Sequence, residues 1–290
     1  MSNSYLSPLT ASDGDILAVQ DWPFTDNGLD DDRPRGTVLI VHGLGEHAAR
    51  YAHTAADINR WGYTVRSYDQ YGHGDSGGRR GALPRDMRLL NDLADVVDGT
   101  RRLMAPDEPL ILLGHSMGGV VATQFVLRRL RPVEGLILSS PAFDAGLSAI
   151  QKILLNLLPT IAPNLRVSNG LKTQYLCRDP AVVKAYCDDP LVHNRISARL
   201  AKWIATQGAA CIAQASQLAV PTLLLFAGAD HLVNPGGGAA FAEAAPAKWG
   251  FVKCFDEMYH EILNDPEREQ VLGIIQSWLG QLNPAMGPSP

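Results

Sequence analysis

Pro109-Leu110-Ile111-Leu112-Leu113-Gly114-His115-Ser116-Met117-Gly118-Gly119 is the stretch of this chain that decides its fold. The first five residues form a continuous apolar run, the pattern of a strand buried on both faces of a parallel sheet. Beyond the serine, Met117, Val121 and Phe125 recur four apart, the spacing of a helix with one buried face. The G-x-S-x-G core therefore sits at a strand-to-helix turn. In such a turn a serine is held in a strained conformation with its hydroxyl projecting above the sheet, and Gly114 and Gly118 remove Cβ atoms where the chain is tightest. Ser116 also stands at a helix N-terminus, where unpaired N–H groups favour negative charge. Taken alone, the pentapeptide reads equally well as a glycine-rich turn with no chemistry.

A serine hydroxyl is a poor nucleophile at neutral pH and needs a base and an orienting carboxylate. Thr222 to Gly228 is a second buried-strand run, and it ends in Ala229-Asp230-His231, which places Asp230 at the carboxyl edge of a strand. Functional groups of open α/β sheets gather at that edge. Phe251-Val252-Lys253-Cys254-Phe255 reads as an alternating or edge strand, and His260 follows it, ahead of a helix expected to start near Pro266. Each residue has a plain structural alternative: Asp230 as a turn cap before Pro235, and His260 as one of eight surface or packing histidines. Together, the order Ser116, Asp230, His260, each just after a strand, is the nucleophile–acid–base order of the α/β-hydrolase fold. His42 and His231 compete as bases but stand at the wrong place in that order, and Asp256 competes as the acid.

Thr37 to Val41 is another strand, and it runs into His42-Gly43-Leu44-Gly45-Glu46-His47. Glycines there let the backbone approach a reacting carbonyl closely. The N–H groups of Leu44 and Met117 can then form an oxyanion hole, each donor contributing about 3 kcal/mol in the transition state. The alternative is a turn that merely links strand to helix, with Glu46 and His47 as helix-entry residues.

These motifs, with Tyr68-Asp69-Gln70-Tyr71-Gly72-His73-Gly74-Asp75-Ser76-Gly77-Gly78, Ser139-Ser140-Pro141-Ala142, Ala229-Asp230-His231-Leu232-Val233 and Tyr259-His260-Glu261, resemble the monoacylglycerol lipase and lysophospholipase branch of the α/β-hydrolases. The resemblance runs from about Tyr5 to Leu279. It implies a mostly parallel eight-stranded sheet flanked by helices, a Ser116–Asp230–His260 triad, and backbone oxyanion donors at Leu44 and Met117. It also implies a small-molecule ester or lipid substrate, with no metal and no organic cofactor. Glu46, Arg50, His193 and Tyr259 are candidates to contact a polar head group, against ordinary surface hydrogen bonding. General carboxylesterase, thioesterase, acyltransferase and perhydrolase activities stay open, as does a non-catalytic small-molecule binder on the same scaffold. Epoxide hydrolase or dehalogenase chemistry needs a carboxylate where Ser116 stands.

Strand signals stop at Ser139 and resume at Val220, so the expected organisation is a core of residues 1–142 and 216–282 with a helical cap at 143–215. In the cap, Ile150, Ile153, Leu154, Leu157, Leu158 and Ile161 make an apolar stripe expected mainly to pack on the core, with some acyl contact. Val182, Val183 and Tyr186 predict a short helix, and Ile196, Leu200, Trp203 and Ile204 a longer one. Only Lys152 supplies a cation near the stripe, which argues for no more than transient membrane or micelle contact. Residues 26–34 read as an acidic solvated loop without an EF-hand pattern, and 283–290 as a disordered tail.

A net charge of −5 over 290 residues argues against a nucleic-acid partner. Cys177, Cys187, Cys211 and Cys254 lack the spacing of a zinc or redox motif. With neither a signal-peptide pattern nor an apolar run of spanning length, the expected location is cytoplasmic. Oligomeric state has no signature in the sequence.

Overall fold

The computed structural model describes residues 4–24, 33–146 and 157–282. Its centre is an eight-stranded sheet: β1 (Tyr5–Leu6), β2 (Val19–Trp22), β3 (Thr37–Val41), β4 (Thr64–Tyr68), β5 (Leu110–His115), β6 (Gly135–Ser139), β7 (Thr222–Ala227) and β8 (Gly250–Phe255). The spatial order is β1-β2-β4-β3-β5-β6-β7-β8, with β1 and β2 joining antiparallel and the other six strands parallel. β3, β5, β6 and β7 are buried along their whole length, as expected where helices cover both faces.

Helices α1 (Ala52–Arg60), α2 (Arg88–Arg101), α3 (Met117–Leu127), α4 (Pro180–Asp188), α5 (Ala198–Gln214), α6 (Pro235–Ala244) and α7 (Arg268–Gln281) complete the architecture. Two apolar cores result, one on each side of the sheet. One gathers Leu39, Leu112, Val121, Phe125 and Trp203, the other Ile40, Ile58, Leu113, Leu225 and Ile275. Alternate residues of one strand, such as Leu112 and Leu113, thus serve opposite cores.

Register decides where chemistry can assemble. Val41 pairs with Gly114, His115 with Ser139, and Ala227 with Phe255, so the carboxyl ends of these strands share one rim. The loops carrying Leu44, Ser116, Asp230 and His260 all leave from it.

Three sequence expectations need correction. First, α3 is buried on every side, not on one face, because α5 packs across it. Gly208 of α5 comes so close to the 142–143 backbone that a Cβ would lie 2.6 Å from the Ala142 carbonyl oxygen. Second, Ile196 does not belong to the α5 helix. It lies in an antiparallel ribbon, Arg195–Ser197 against Arg166–Ser168, and α5 begins only where the Ser197 hydroxyl caps the Leu200 N–H at 3.1 Å. Strands of three residues are too short to show alternation, so an apolar spacing running through the cap position read as helix. Third, Leu157 and Ile161 are 56% and 83% exposed, so that end of the apolar stripe does not pack on the core.

Ile150, Ile153 and Leu154, the acidic loop and the C-terminal tail fall outside the described residues, apart from Arg33 and Pro34. Among the described residues no helix is long and apolar enough to cross a membrane.

Candidate active site

Ser116 sits between β5 and α3 with φ 52° and ψ −118°, a left-handed region that costs a non-glycine residue about 1–3 kcal/mol. Neighbouring backbone enforces it. The Ser116 N–H donates to the Ser139 carbonyl at 3.1 Å, and the Ser116 carbonyl accepts from the Ala142 N–H at 3.0 Å. The flanking glycines are steric requirements: a Cβ on Gly114 would lie 2.6 Å from the Gly118 carbonyl oxygen, and one on Gly118 only 2.0 Å from that of Val41. α3 is thereby pressed against the end of β3, which brings the Met117 N–H and the Gly43-Leu44 backbone to one place.

Asp230 lies in the loop after β7. Its Oδ1 accepts from the N–H groups of Leu232 (2.8 Å) and Val233 (3.0 Å), which leaves Oδ2 aimed at His260. His260 Nδ1 donates to that oxygen at 2.6 Å. This bond leaves Nε2 as the ring's acceptor. Burial alone would raise the Asp230 pKa, but the charge of His260, this hydrogen bond and the two N–H donors hold it below the usual 3.8. Burial alone would likewise lower the His260 pKa, yet the Asp230 carboxylate lifts it above 6.5.

Ser116 and His260 line one cavity of about 210 Å³, together with Leu44, Met117, Gly43 and His115. Among the described residues no hydrogen bond joins the Ser116 hydroxyl to His260. Contacts between nucleophile and base in unliganded enzymes are often long and tighten as substrate arrives. The rest of the wall is largely aliphatic, with Ala142, Ala145, Leu171, Leu176, Ile196, Ala201, Ile204, Leu232 and Val233.

The competing residues are accounted for. Both ring nitrogens of buried His42 are engaged, Nδ1 with the Gly43 carbonyl at 2.7 Å and Nε2 accepting from the Gln70 N–H at 2.9 Å. His231 is exposed and packs on Tyr175 and Tyr259. Asp256 is exposed, too.

Of the four head-group candidates, only Glu46 reaches the cavity wall, and its carboxylate is already engaged. It accepts from the Gly43 N–H at 2.5 Å, the Tyr51 hydroxyl at 2.8 Å and the Arg50 guanidinium at 2.6 Å. Burial opposes its ionisation, but Arg50, His115, His42 and the Gly43 N–H pull its pKa down to about 2. Arg50, His193 and Tyr259 do not line the cavity. Arg50 is held behind the wall by Glu46 and Glu261, His193 Nε2 bonds the Gly72 carbonyl at 3.1 Å, and Tyr259 packs against Tyr175 and His231. Sequence inspection missed His115, Tyr186 and Glu261 as wall residues. His115 stands in plain view as the second residue of the serine motif; Tyr186 reads as part of a short helix, and Glu261 figures only as the last residue of the Tyr259-His260-Glu261 motif, with no role of its own.

Residues 32–267 match the family described as serine aminopeptidase, S33. A monoacylglycerol lipase of Mycolicibacterium smegmatis is 33% identical over 86% of this chain and 89% of its own length. The chain belongs to this family. Among solved structures, the monoacylglycerol lipase of Paleococcus ferrophilus superposes on this hydrolase with a TM-score of 0.78, at 30% identity, covering 97% of this chain and all of that one. An uncharacterized abhydrolase domain-containing protein of Dictyostelium discoideum is 31% identical over 95% of the hydrolase, which spans only 29% of that protein's length. Together these make the chain a monoacylglycerol lipase-like α/β-hydrolase.

Proposed function

We propose that this hydrolase cleaves monoacylglycerols or related lysolipids through Ser116, His260 and Asp230. Carboxylic ester hydrolysis is the class of its reaction. The observation that carries the finer reading is the 2.6 Å His260–Asp230 bond beside a strained serine, in a cavity whose remaining wall is largely aliphatic.

His260 Nε2 takes the hydroxyl proton as Ser116 Oγ attacks the ester carbonyl. The oxyanion is met by the N–H groups of Leu44 and Met117, neither of which donates to an acceptor among the described residues. Collapse expels the alcohol with a proton from His260, and water repeats the sequence on the acyl-enzyme. Every step uses protein groups and water. The acyl chain lies along the aliphatic wall, to which Ala145, Leu171, Leu176, Ile196, Ala201 and Ile204 of the proposed cap contribute.

Peptide-bond cleavage at an amino terminus, the activity in the family's description, calls for a free carboxylate to receive an ammonium group. Glu46 and Glu261 are the acidic residues on the cavity wall, and both are tied up in ion pairs with Arg50. A general carboxylesterase or thioesterase would use the same machinery with shorter or sulfur esters. Hydrolysis rates for a monoacylglycerol, a lysophospholipid, an acyl thioester, an aminoacyl anilide and short nitrophenyl esters separate these readings. Preference for the short esters or the anilide would overturn the lipid assignment.

A further inference from the structure

Arg50 takes no part in the steps above, yet it is among the best-held side chains of the site. It lies in a short 3-10 turn, Ala48–Tyr51, directly after the loop that carries Leu44, and its side chain is 11% exposed. One guanidinium nitrogen donates to Glu46 Oε2 at 2.6 Å and to Glu261 Oε1 at 2.7 Å. A second donates to Glu261 Oε2 at 2.8 Å, and the Tyr186 ring covers the ion at 4.7 Å.

Each carboxylate controls a different reacting group. Glu46 Oε1 accepts the Gly43 N–H at 2.5 Å and so fixes the backbone leading into Leu44. Glu261 adjoins His260, and its own N–H is tied to the Leu176 carbonyl at 2.7 Å. A cation therefore bridges the loop that receives the oxyanion and the loop that carries the base.

We propose that Arg50 is a positioning residue that locks the Leu44 loop and the His260 loop in one register, through Glu46 on one side and Glu261 on the other. The proposal rests on the roles given above to Ser116, His260 and Leu44. Two buried carboxylates this close require a cation between them, since an unpaired buried charge is strongly disfavoured. Only a planar fork can hold one carboxylate bidentately while reaching a second; an ammonium at the same place is a point donor.

The groups facing His260 make the clamp visible in pH dependence. They are Asp230 from the loop after β7, His115 at the end of β5, Glu46 from the loop after β3, and Glu261 beside it. His115 is neutral, because burial and then the nearby His260 bring its pKa down to about 4. Removing the Arg50 charge leaves Glu46 and Glu261 unbalanced near His260, which favours the imidazolium and raises the pH at which the base becomes available.

The test uses the full chain with nitrophenyl butyrate as the probe, comparing wild type with Ser116→Ala, Arg50→Met, Arg50→Lys and Glu261→Gln. Arg50→Met is expected to lower kcat about tenfold to a hundredfold, the range for sub-ångström to 1 Å misplacement, with KM changed less than about threefold. Its acid limb of kcat/KM should move to higher pH. Arg50→Lys should recover part of kcat, and Glu261→Gln should lower kcat while moving the acid limb to lower pH. If Arg50→Met does not fold, Arg50→Lys and Glu261→Gln carry the test. Wild-type kcat and acid limb in those two, or in a folded Arg50→Met, overturn the clamp while an inactive Ser116→Ala keeps the triad. An active Ser116→Ala overturns the triad and the clamp with it.

Discussion

His260 Nδ1 donates to Asp230 Oδ2 at 2.6 Å, and the aspartate side chain is left 1% exposed. An imidazole held this way has one tautomer and one orientation, with its second nitrogen turned to the cavity that Ser116 lines. Two N–H groups on the other Asp230 oxygen keep the carboxylate from rotating away.

Ser116→Ala is expected to abolish ester hydrolysis, lowering kcat by about 10³-fold or more. Its melting temperature should stay near that of wild type, because the strain at Ser116 is enforced by the backbone bonds to Ser139 and Ala142, which alanine keeps. Labelling by a fluorophosphonate should vanish with activity. Retained turnover would remove Ser116 from the mechanism.

Asp230→Asn should cost about 10⁴-fold in kcat, through the wrong histidine tautomer. In wild type, the acid limb of kcat/KM should lie above pH 6.5, since Asp230 raises the His260 pKa. Removing the carboxylate should move that limb to lower pH in the residual activity. A wild-type limb below 6.5 would contradict the pairing.

The same pair sets a pH dependence of stability. His260 has a folded pKa above its unfolded value, so its contribution is complete below about 6.5 and is lost as pH rises through the raised value. Asp230 is the mirror case: its folded pKa is lowered, so its contribution is complete above about 3.9 and is lost as pH falls through the lowered value. The window of full benefit lies between. The gap in melting temperature between wild type and Asp230→Asn should therefore be wider at pH 5.5 than at pH 9, and a gap that widens toward pH 9 would be the wrong sign.

Gly118→Ala should be strongly destabilising although it adds a single methyl. The new Cβ would lie 2.0 Å from the Val41 carbonyl oxygen and 2.5 Å from that of His42, backbone atoms that cannot swing aside. A cost at or above about 3 kcal/mol is expected, the upper end for overpacked sites. Denaturant unfolding measures it, and a near-neutral result would mean that α3 does not press on β3 as described.

Ala201→Phe narrows the aliphatic part of the cavity without touching Ser116 or His260. Hydrolysis of long-chain monoacylglycerols should fall about tenfold or more relative to acetyl and butyryl esters, the scale on which hydrophobic pockets discriminate by size. An equal loss on all chain lengths would place the acyl chain elsewhere.

The serine turn, its two glycines and the order of serine, aspartate and histidine were legible in the sequence. They depend on local backbone requirements and on strand runs that show in one dimension. The Arg195–Ser197 ribbon was not legible, because three residues carry no measurable period. Nor was the complete burial of α3, which depends on α5 crossing it. Glu46 and Arg50 looked from the sequence like residues free to meet a substrate head group. In the fold they are bound to each other, and Arg50 is bound also to Glu261, a residue 211 positions away from it.

By itself the sequence determined that a serine, an aspartate and a histidine suited to the proposed acyl transfer are present and at which strand ends they stand, since buried-strand patterns and glycine turns are written locally. Only the tertiary structure decided which charged groups are free and which are spent on one another. Charge pairing depends on distance in space, and the rim of a parallel sheet brings together loops that the chain keeps far apart.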